Sequence, residues 1–189
     1  DDANELETII VEKNQYIKND DGFIIIIKDG ENDKKTRKIL FSPRSVEGKY
    51  IVPGDTTCIG RCAFNKRQRL QSFISDKSSL KMIKSYSFYQ CENLKQFIFT
   101  SNSELTLGGF CFSRSSKLSI IEITCESIKI GKDCFSNCSS LSSFILKVTK
   151  NAFLCSELFK GCSNLENIAF MNANTIKIGD ECFSNSPSL

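Results

Sequence analysis

Apolar residues recur along this chain with a period of 23 or 24 residues. Phenylalanine carries the period, at successive intervals of 24, 24, 23, 24 and 24 residues. Each phenylalanine follows an aliphatic residue by five positions and precedes a leucine by six. We call these the ladder residues, and they are Phe64, Phe88, Phe112, Phe135, Phe159 and Phe183, with Leu70, Leu94, Leu118, Leu141 and Leu165. Columns kept in register in this way predict a stacked-repeat protein.

Each repeat divides into two parts with different patterns. The residues after the leucine alternate, as in Leu118-x-x-Ile121-x-Ile123, which is typical of a short strand with one buried face. The part around the phenylalanine, such as residues 130–138, is too short for a full helix, so we expect turns and short helical segments there. Stacking would place parallel short strands on one face and the turns on the other. The predicted fold class is a solenoid.

The N-terminal part of the chain lacks the columns. We predict a cap and lead-in over residues 1–53 and a repeat array over residues 54–189, with about six units of which the last is incomplete. Two apolar runs, at residues 23–27 and 39–41, flank a polar stretch and predict a β-hairpin that covers the first repeat. Because the last unit stops partway, we expect a fragment of a longer array or a trimmed last strand.

Strand phase also identifies a candidate binding surface. If residues three and five after the leucine point inward, residues two and four after it point outward. The candidate concave binding face therefore consists of Ser72, Ile74, Gln96, Ile98, Ile120, Glu122, Ser143, Ile145, Asn167 and Ala169. Its four isoleucines would form an apolar streak on a polar face, which favours a protein-binding patch. The alternative is that β-branched residues simply suit exposed strands.

The repeat carries a longer motif, I-G-x-x-x-F-x-x-C-x-x-L-x-x-I. Its clearest copy runs Ile130-Gly131…Phe135…Cys138…Leu141…Phe144. The motif resembles that of the BspA-like leucine-rich-repeat family, and residues 39–53 resemble the family's usual lead-in. In other units the motif cysteine is replaced by Arg67, Ser115 or Ser186. The resemblance, over residues 39–189, implies a leucine-rich-repeat solenoid associated with surface antigens, adhesion and host contact.

The chain has ten cysteines and no histidine. Without histidine, the usual general base and the commonest metal ligand are missing, so we expect no enzyme activity, no cofactor and no metal site. Six cysteines form two columns, three residues after the phenylalanine or one before it: Cys91, Cys138 and Cys162, then Cys111, Cys134 and Cys182. We interpret them as small buried hydrophobes. Disulfides between neighbouring repeats, such as Cys111 with Cys134, and metal binding through Cys58 and Cys62 are the alternatives.

Charge and hydropathy narrow the choice of partners. The net charge of +3 is too small to demand a nucleic acid or an anionic membrane. The apolar run at residues 23–27 is too short to span a membrane. A basic cluster at Arg61, Lys66, Arg67 and Arg69 would suit an anionic surface glycan or an acidic protein, although such runs are commonly just solvated.

These patterns together predict a non-enzymatic protein-binding module. We expect a cell-surface or secreted adhesion and recognition protein whose ligand is a host or self surface protein. We expect no nucleic-acid partner and no membrane span. The alternative is an intracellular scaffold that assembles protein complexes in the cytoplasm, where its thiols would stay reduced.

Overall fold

A computed structural model of the protein describes residues 17–20, 22–29 and 35–189. The strands are β1 (Ile17–Asp20), β2 (Phe23–Asp29), β3 (Lys35–Phe41), β4 (Gly48–Ile51), β5 (Thr56–Ile59), β6 (Leu70–Asp76), β7 (Met82–Ile83), β8 (Gln96–Thr100), β9 (Leu105–Leu107), β10 (Ile120–Cys125), β11 (Ile128–Ile130), β12 (Ser143–Val148), β13 (Asn151–Leu154), β14 (Asn167–Met171) and β15 (Thr175–Ile178). They form two sheets. The nine-stranded sheet has the order β1-β2-β3-β5-β7-β9-β11-β13-β15, and the six-stranded sheet has the order β14-β12-β10-β8-β6-β4.

Each of the first five repeats contributes one strand to each sheet, and the sixth contributes β15 to the nine-stranded sheet. Residues before the phenylalanine form the odd-numbered strands from β5 to β15, which belong to the nine-stranded sheet. Residues after the leucine form the even-numbered strands from β6 to β14, which belong to the six-stranded sheet. Neighbouring repeats pair in parallel, so residues one repeat apart lie side by side, as Phe73, Phe97 and Ile121 do. The predicted solenoid of stacked repeats with parallel strands is confirmed.

The prediction of short helical segments is wrong. Among the residues that the structure describes there is no helix: residues 132–137 and their equivalents in the other repeats form turns, and the residues just before them form strands of the nine-stranded sheet. The residues two before and two after each phenylalanine have positive φ angles, and these are Cys62, Tyr86, Phe110, Asp133, Glu157 and Glu181, then Lys66, Gln90, Arg114, Asn137, Gly161 and Asn185. Two left-handed residues four positions apart in each repeat leave no room for a right-handed helix around the phenylalanine.

Hydrogen bonds between repeats account for this turn geometry. The backbone N–H of Phe88 donates to the carbonyl of Cys111 at 2.8 Å, and that of Phe112 donates to the carbonyl of Cys134 at 2.8 Å. In an α-helix the same N–H groups would point along the chain to the residue four positions earlier. Stacking therefore sets the conformation of the turn, and one repeat considered alone does not reveal its partners.

The core lies between the two sheets. Phe64, Phe88, Phe112, Phe135 and Phe159 are fully buried, as are the ladder leucines Leu70, Leu94, Leu118, Leu141 and Leu165. Phe183, in the last repeat, is only partly buried. The rings stack along the array, with centroids of Phe88 and Phe112 separated by 5.0 Å and those of Phe135 and Phe159 by 5.7 Å. One continuous aromatic column thus links all the repeats.

Glycine in the column four residues before the phenylalanine permits close stacking. A Cβ atom on Gly108 would lie 2.3 Å from the backbone nitrogen of Ser85, and one on Gly131 would lie 2.5 Å from that of Gly109. Both distances are too short for non-bonded atoms. The glycine column therefore lets the backbones of adjacent repeats approach each other.

The N-terminal strands differ from the repeats in direction. Strand β2 pairs antiparallel with both β1 and β3, and β3 then pairs in parallel with β5. The ring centroid of Phe23, in β2, lies 5.3 Å from that of Tyr50 and 6.0 Å from that of Phe64. Parts of the predicted cap, at residues 1–16, 21 and 30–34, lie outside the described residues.

Candidate binding face

The outward side chains of the six-stranded sheet form two columns across its strands. The first column contains Lys49, Ser72, Gln96, Ile120, Ser143 and Asn167. The second contains Ile51, Ile74, Ile98, Glu122, Ile145 and Ala169. The ten candidate residues are all at least partly exposed here, whereas Phe97 and Ile121, at alternate positions, are buried.

The predicted apolar streak is not a single line. Ile120 lies in the first column, and Glu122 occupies the second column between Ile98 and Ile145. Residues 120 and 122 are two apart on one strand, so both point outward, and β10 places its isoleucine one pleat away from those of its neighbours. Strand phase alone did not separate these two outward columns.

Sequence reasoning missed the most exposed large apolar residue of this surface. Ile51 is 61% exposed and lies beside Ile74, so Ile51, Ile74 and Ile98 stand next to each other on three adjacent strands. We call these three residues the isoleucine row. Ile51 belongs to the lead-in, where the ladder columns fail. Its only signal was the short alternation through Lys49 to Ile51.

Polar groups border the isoleucine row. In the first column, the Nε2 of Gln96 donates to the Oγ of Ser72 at 2.8 Å. On the other side of the row, the next outward column contains Asp76, Thr100, Thr124, Lys147 and Met171. The face therefore presents a narrow apolar strip between hydrogen-bonding side chains, an arrangement that resembles the apolar centre and polar rim of protein interfaces.

The cysteine column after each phenylalanine proves to be a row of hydrogen-bond donors. Cys91, Ser115, Cys138, Cys162 and Ser186 each donate to the carbonyl of the phenylalanine in the preceding repeat, at 2.9, 2.8, 3.2, 3.1 and 2.9 Å. Their interpretation as small hydrophobes described their burial but not this bond. The exchange of cysteine for serine within the column was the available signal, because both residues donate a hydrogen.

Burial keeps these thiols in the donor form. It raises the pKa of Cys91 and of Cys162 to about 12, so both remain protonated and poorly nucleophilic at neutral pH. All ten cysteines are unpaired in the structure, including Cys111 with Cys134, and Cys62 and Cys155 are exposed. In the described part of the chain, no three cysteine or acidic side chains come together as a metal site.

The basic cluster of the sequence is divided in the structure. Arg67 is buried, donates from Nε to the carbonyl of Ser42 at 2.9 Å and packs over the ring of Phe41. Arg61 lies on another turn, over the ring of Tyr86 at 5.3 Å. Lys66 and Arg69 remain exposed. Lys66, Arg67 and Arg69 line one groove together with Arg44, so only Arg61 is separated from the cluster that the sequence predicts.

Comparison with known proteins identifies relatives of this fold. The sequence profile of the BspA type leucine rich repeat region matches residues 57–189 in six copies. The structure is similar to a leucine rich cell surface protein from Faecalibacterium prausnitzii, at 17% identity and a TM-score of 0.62, covering 95% of this chain and 54% of that one. No curated protein matches the chain significantly.

Two further solved structures show the same fold. A leucine-rich repeat protein from Eubacterium ventriosum has 14% identity and a TM-score of 0.66, covering 97% of this chain and 53% of that one. A leucine rich repeat protein of T. pallidum has 17% identity and a TM-score of 0.53, covering 87% of each chain. The chain thus spans about half the length of the first two proteins. Within the described residues, no helix is long and apolar enough to cross a membrane.

Proposed function

The chain belongs to the BspA-type leucine-rich repeat family, and we propose that it is a non-enzymatic protein-binding module of a cell-surface or secreted recognition protein. The isoleucine row is the observation that carries this proposal. Three β-branched side chains on adjacent strands, about 4.8 Å apart, offer a continuous apolar strip to a partner. The absence of histidine from the sequence supports a role without catalysis.

The proposed partner is a protein that covers this strip. Ile51 is the most exposed residue of the isoleucine row, and Gln96 and Ser72 supply hydrogen-bonding groups beside the row. A partner with an apolar patch and a polar rim would satisfy both parts of the face. The similarity to a leucine rich cell surface protein supports the cell-surface location.

Paired substitutions on the two sheets test this proposal. Ile74→Glu with Ile98→Glu places two carboxylates on the isoleucine row, and Met82→Glu with Thr106→Glu places two on the outward side of β7 and β9. The probe is a panel of purified extracellular-matrix and cell-surface proteins. We expect saturable binding of at least one protein, and a loss of roughly tenfold or more only in the isoleucine variant.

The binding losses of the two variants show which sheet binds the partner. Equal loss in both variants would assign binding to another surface, and the absence of binding to every protein on the panel would refute the adhesion role. Circular dichroism of each variant checks that the solenoid is intact. Because all four positions are outward and none is in the core, we expect the spectra to match that of the unmodified chain.

A cytoplasmic scaffold is the second candidate, and the thiols favour it. Ten unpaired cysteines, with Cys62 and Cys155 exposed, suit a reducing compartment better than an oxidising one. Labelling intact source cells with a membrane-impermeant amine reagent distinguishes the two candidates. Labelled protein supports the surface module, and labelling only after lysis supports the scaffold.

The antiparallel strands are proposed to cap the array. Repeat solenoids need their terminal apolar face covered, and Phe23 of β2 packs against Tyr50 of the lead-in and Phe64 of the first repeat. Phe23→Ser should therefore expose the first rung and increase binding of a hydrophobic dye. An unchanged dye signal and stability would argue against a capping role.

A further inference from the structure

A polar groove crosses the beginnings of four neighbouring strands of the six-stranded sheet. Its volume is about 490 Å³, and it runs over the N-terminal ends of β4, β6, β8 and β10. Eight residues line it, and none has an apolar side chain. The cations are Arg69, Lys95 and Lys117, and the amides are Gln68, Gln71 and Asn93. The volume falls within the range of ligand sites in proteins.

The cations of the groove follow the stacking direction of the repeats. Arg69, Lys95 and Lys117 come from three successive repeats, and strands of adjacent repeats are about 4.8 Å apart. A second groove, which shares Gln68 and Arg69, adds Arg44, Lys66 and Arg67. Positive charge is therefore distributed along a line, which suits a linear polyanion better than a single small anion.

One acidic side chain lines the groove. Glu47 forms an ion pair with Arg69 at its edge. Lys117 donates from Nζ to the Oδ1 of Asn93 at 2.7 Å, and Asn93 donates from Nδ2 to the carbonyl of Gln68 at 2.7 Å. These bonds hold Asn93 and Lys117 in place.

The chemistry of the lining selects among polyanions. An acidic peptide binds tightly when apolar or aromatic anchors enter pockets, and the lining has none. Single-stranded nucleic acids stack their bases on aromatic side chains, which are also missing from the lining. Gln68 donates from Nε2 to the carbonyl of Gln90 at 3.0 Å, and the Asn93 amide is bonded to Lys117 and to the carbonyl of Gln68. Each side-chain amide has two N–H groups and two acceptor lone pairs, so both residues keep hydrogen-bonding capacity and, together with Gln71, suit a chain rich in hydroxyl groups.

We infer that this groove binds a linear acidic polysaccharide, with Arg69, Lys95 and Lys117 pairing with its sulfate or carboxylate groups and the amides contacting its hydroxyls. The site is separate from the isoleucine row, so it can exist whether or not that row binds a protein. It shares only Arg69 with the cluster expected from the sequence, because Lys95 and Lys117 come from later repeats.

Binding to heparin tests the inference with a matched charge control. The groove variant carries Arg69→Gln, Lys95→Gln and Lys117→Gln. The control variant carries Lys129→Gln, Lys147→Gln and Lys177→Gln, three exposed lysines in later repeats. Both lose three charges, yet we expect the groove variant to weaken heparin binding roughly tenfold or more and the control to weaken it about twofold or less.

Recognition of hydroxyl groups is tested separately by comparing heparin with polyglutamate of matched charge, which is a linear polyanion without hydroxyl groups. We expect heparin to bind more tightly than polyglutamate, and Gln71→Ala to narrow that difference while leaving the charge unchanged. Equal heparin loss in the two triple variants would overturn the inference, because binding would then follow net charge alone. Polyglutamate or duplex DNA binding as tightly as heparin would also overturn it, in favour of an acidic protein or a nucleic acid.

Discussion

The two halves of the repeat array share one interior and differ in their surfaces. Residues 54–117 and 118–189 each supply three rungs to the phenylalanine column. The first half carries ten basic and four acidic residues, whereas the second carries six basic and seven acidic residues. Positions that line the groove as Arg69 and Lys117 in the first half are Ser140 and Asn164 in the second. Stacking thus constrains the inward columns and leaves the outward ones free to differ.

This difference explains why periodicity is informative about fold and weak about function. Phe112 and Phe135 lie on opposite sides of the boundary, and both are fully buried and stacked on each other at 5.4 Å. The groove and the isoleucine row lie toward the first half. We therefore expect a binding surface on this solenoid where the outward columns change along the array, as they do from Lys95 to Ser119 and from Ile98 to Glu122.

The largest effects are expected from the shared interior. Phe112→Ala and Phe135→Ala should each lower the free energy of unfolding by about 3–5 kcal/mol, because each leaves a cavity in a continuous core. The two losses should be similar if the halves have the same interior. Equilibrium denaturation in urea measures both, and Phe183→Ala, at a partly buried ring, should cost clearly less. A large difference between the free energies lost by Phe112→Ala and Phe135→Ala would show that the two halves do not have the same interior.

Substitutions in the glycine column should have the next largest effect on stability. Gly108→Ala in the first half and Gly131→Ala in the second should each cost about 1–3 kcal/mol, since the new methyl group would meet backbone atoms of the adjacent repeat. Gly54→Ala is the matched control, because nothing lies within 4 Å of its Cβ position. Thermal unfolding of the three variants compares them. If Gly54→Ala destabilised as much as the other two, close stacking would not be the cause.

Sequence reasoning predicted the features that repeat and missed those that depend on neighbouring repeats. The columns of Phe64 and Leu70 and the alternation after Leu118 were sufficient for the solenoid and for the direction of its strand side chains. The second sheet was not predicted, because its strands in the repeats are only two to four residues long and their partners lie in other repeats, as when the Gly108 N–H donates to the carbonyl of Ile83. A pattern within one unit contains no information about that bond.

The candidate surfaces were predicted less completely for a related reason. Ile120 and Glu122 were both recognised as outward, but only the strand register shows that Glu122 interrupts the isoleucines. The groove joins Arg69, Lys95 and Lys117, which are 22 to 48 residues apart in sequence. Such surfaces are assembled by stacking, so a run of charges along the chain is a poor guide to them.

A smaller effect on stability is expected from the cysteines and serines that donate hydrogen bonds to the phenylalanine carbonyls, and it can be tested in both halves. Cys91→Ala and Cys162→Ala each remove one hydrogen bond to a phenylalanine carbonyl, so each should cost about 0.5–1.5 kcal/mol beyond the change in volume. Cys91→Ser and Cys162→Ser keep a donor, as Ser115 does naturally. We expect the serine variants to be more stable than the alanine variants in urea denaturation. The reverse order would mean that these thiols act only as small apolar groups.

The smallest effect on stability is expected from a surface carboxylate, Glu157, that has two lysine partners in the second half. In the second half, hydrogen bonds from Lys132 at 2.9 Å and Lys160 at 3.0 Å lower the pKa of Glu157 to about 2. The first half has the uncharged Tyr86 at the equivalent position. A lowered pKa means that the ionised carboxylate is bound more favourably in the folded state. Its contribution is therefore fully present above the ordinary glutamate pKa of 4.5 and is lost as the pH falls towards 2.

We expect Glu157→Gln to lower the unfolding temperature slightly at pH 7 and to have progressively less effect between pH 5 and pH 2, within the window set by the ordinary and lowered pKa values of 4.5 and about 2. Added salt should reduce the effect at pH 7, because the carboxylate and both lysines lie at the surface. The matched control is Glu92→Gln, which removes an exposed carboxylate from the first half. Equal pH dependence in the two variants would show that the second half gains nothing from this lysine pair, and its surface would then differ from that of the first half in charge alone.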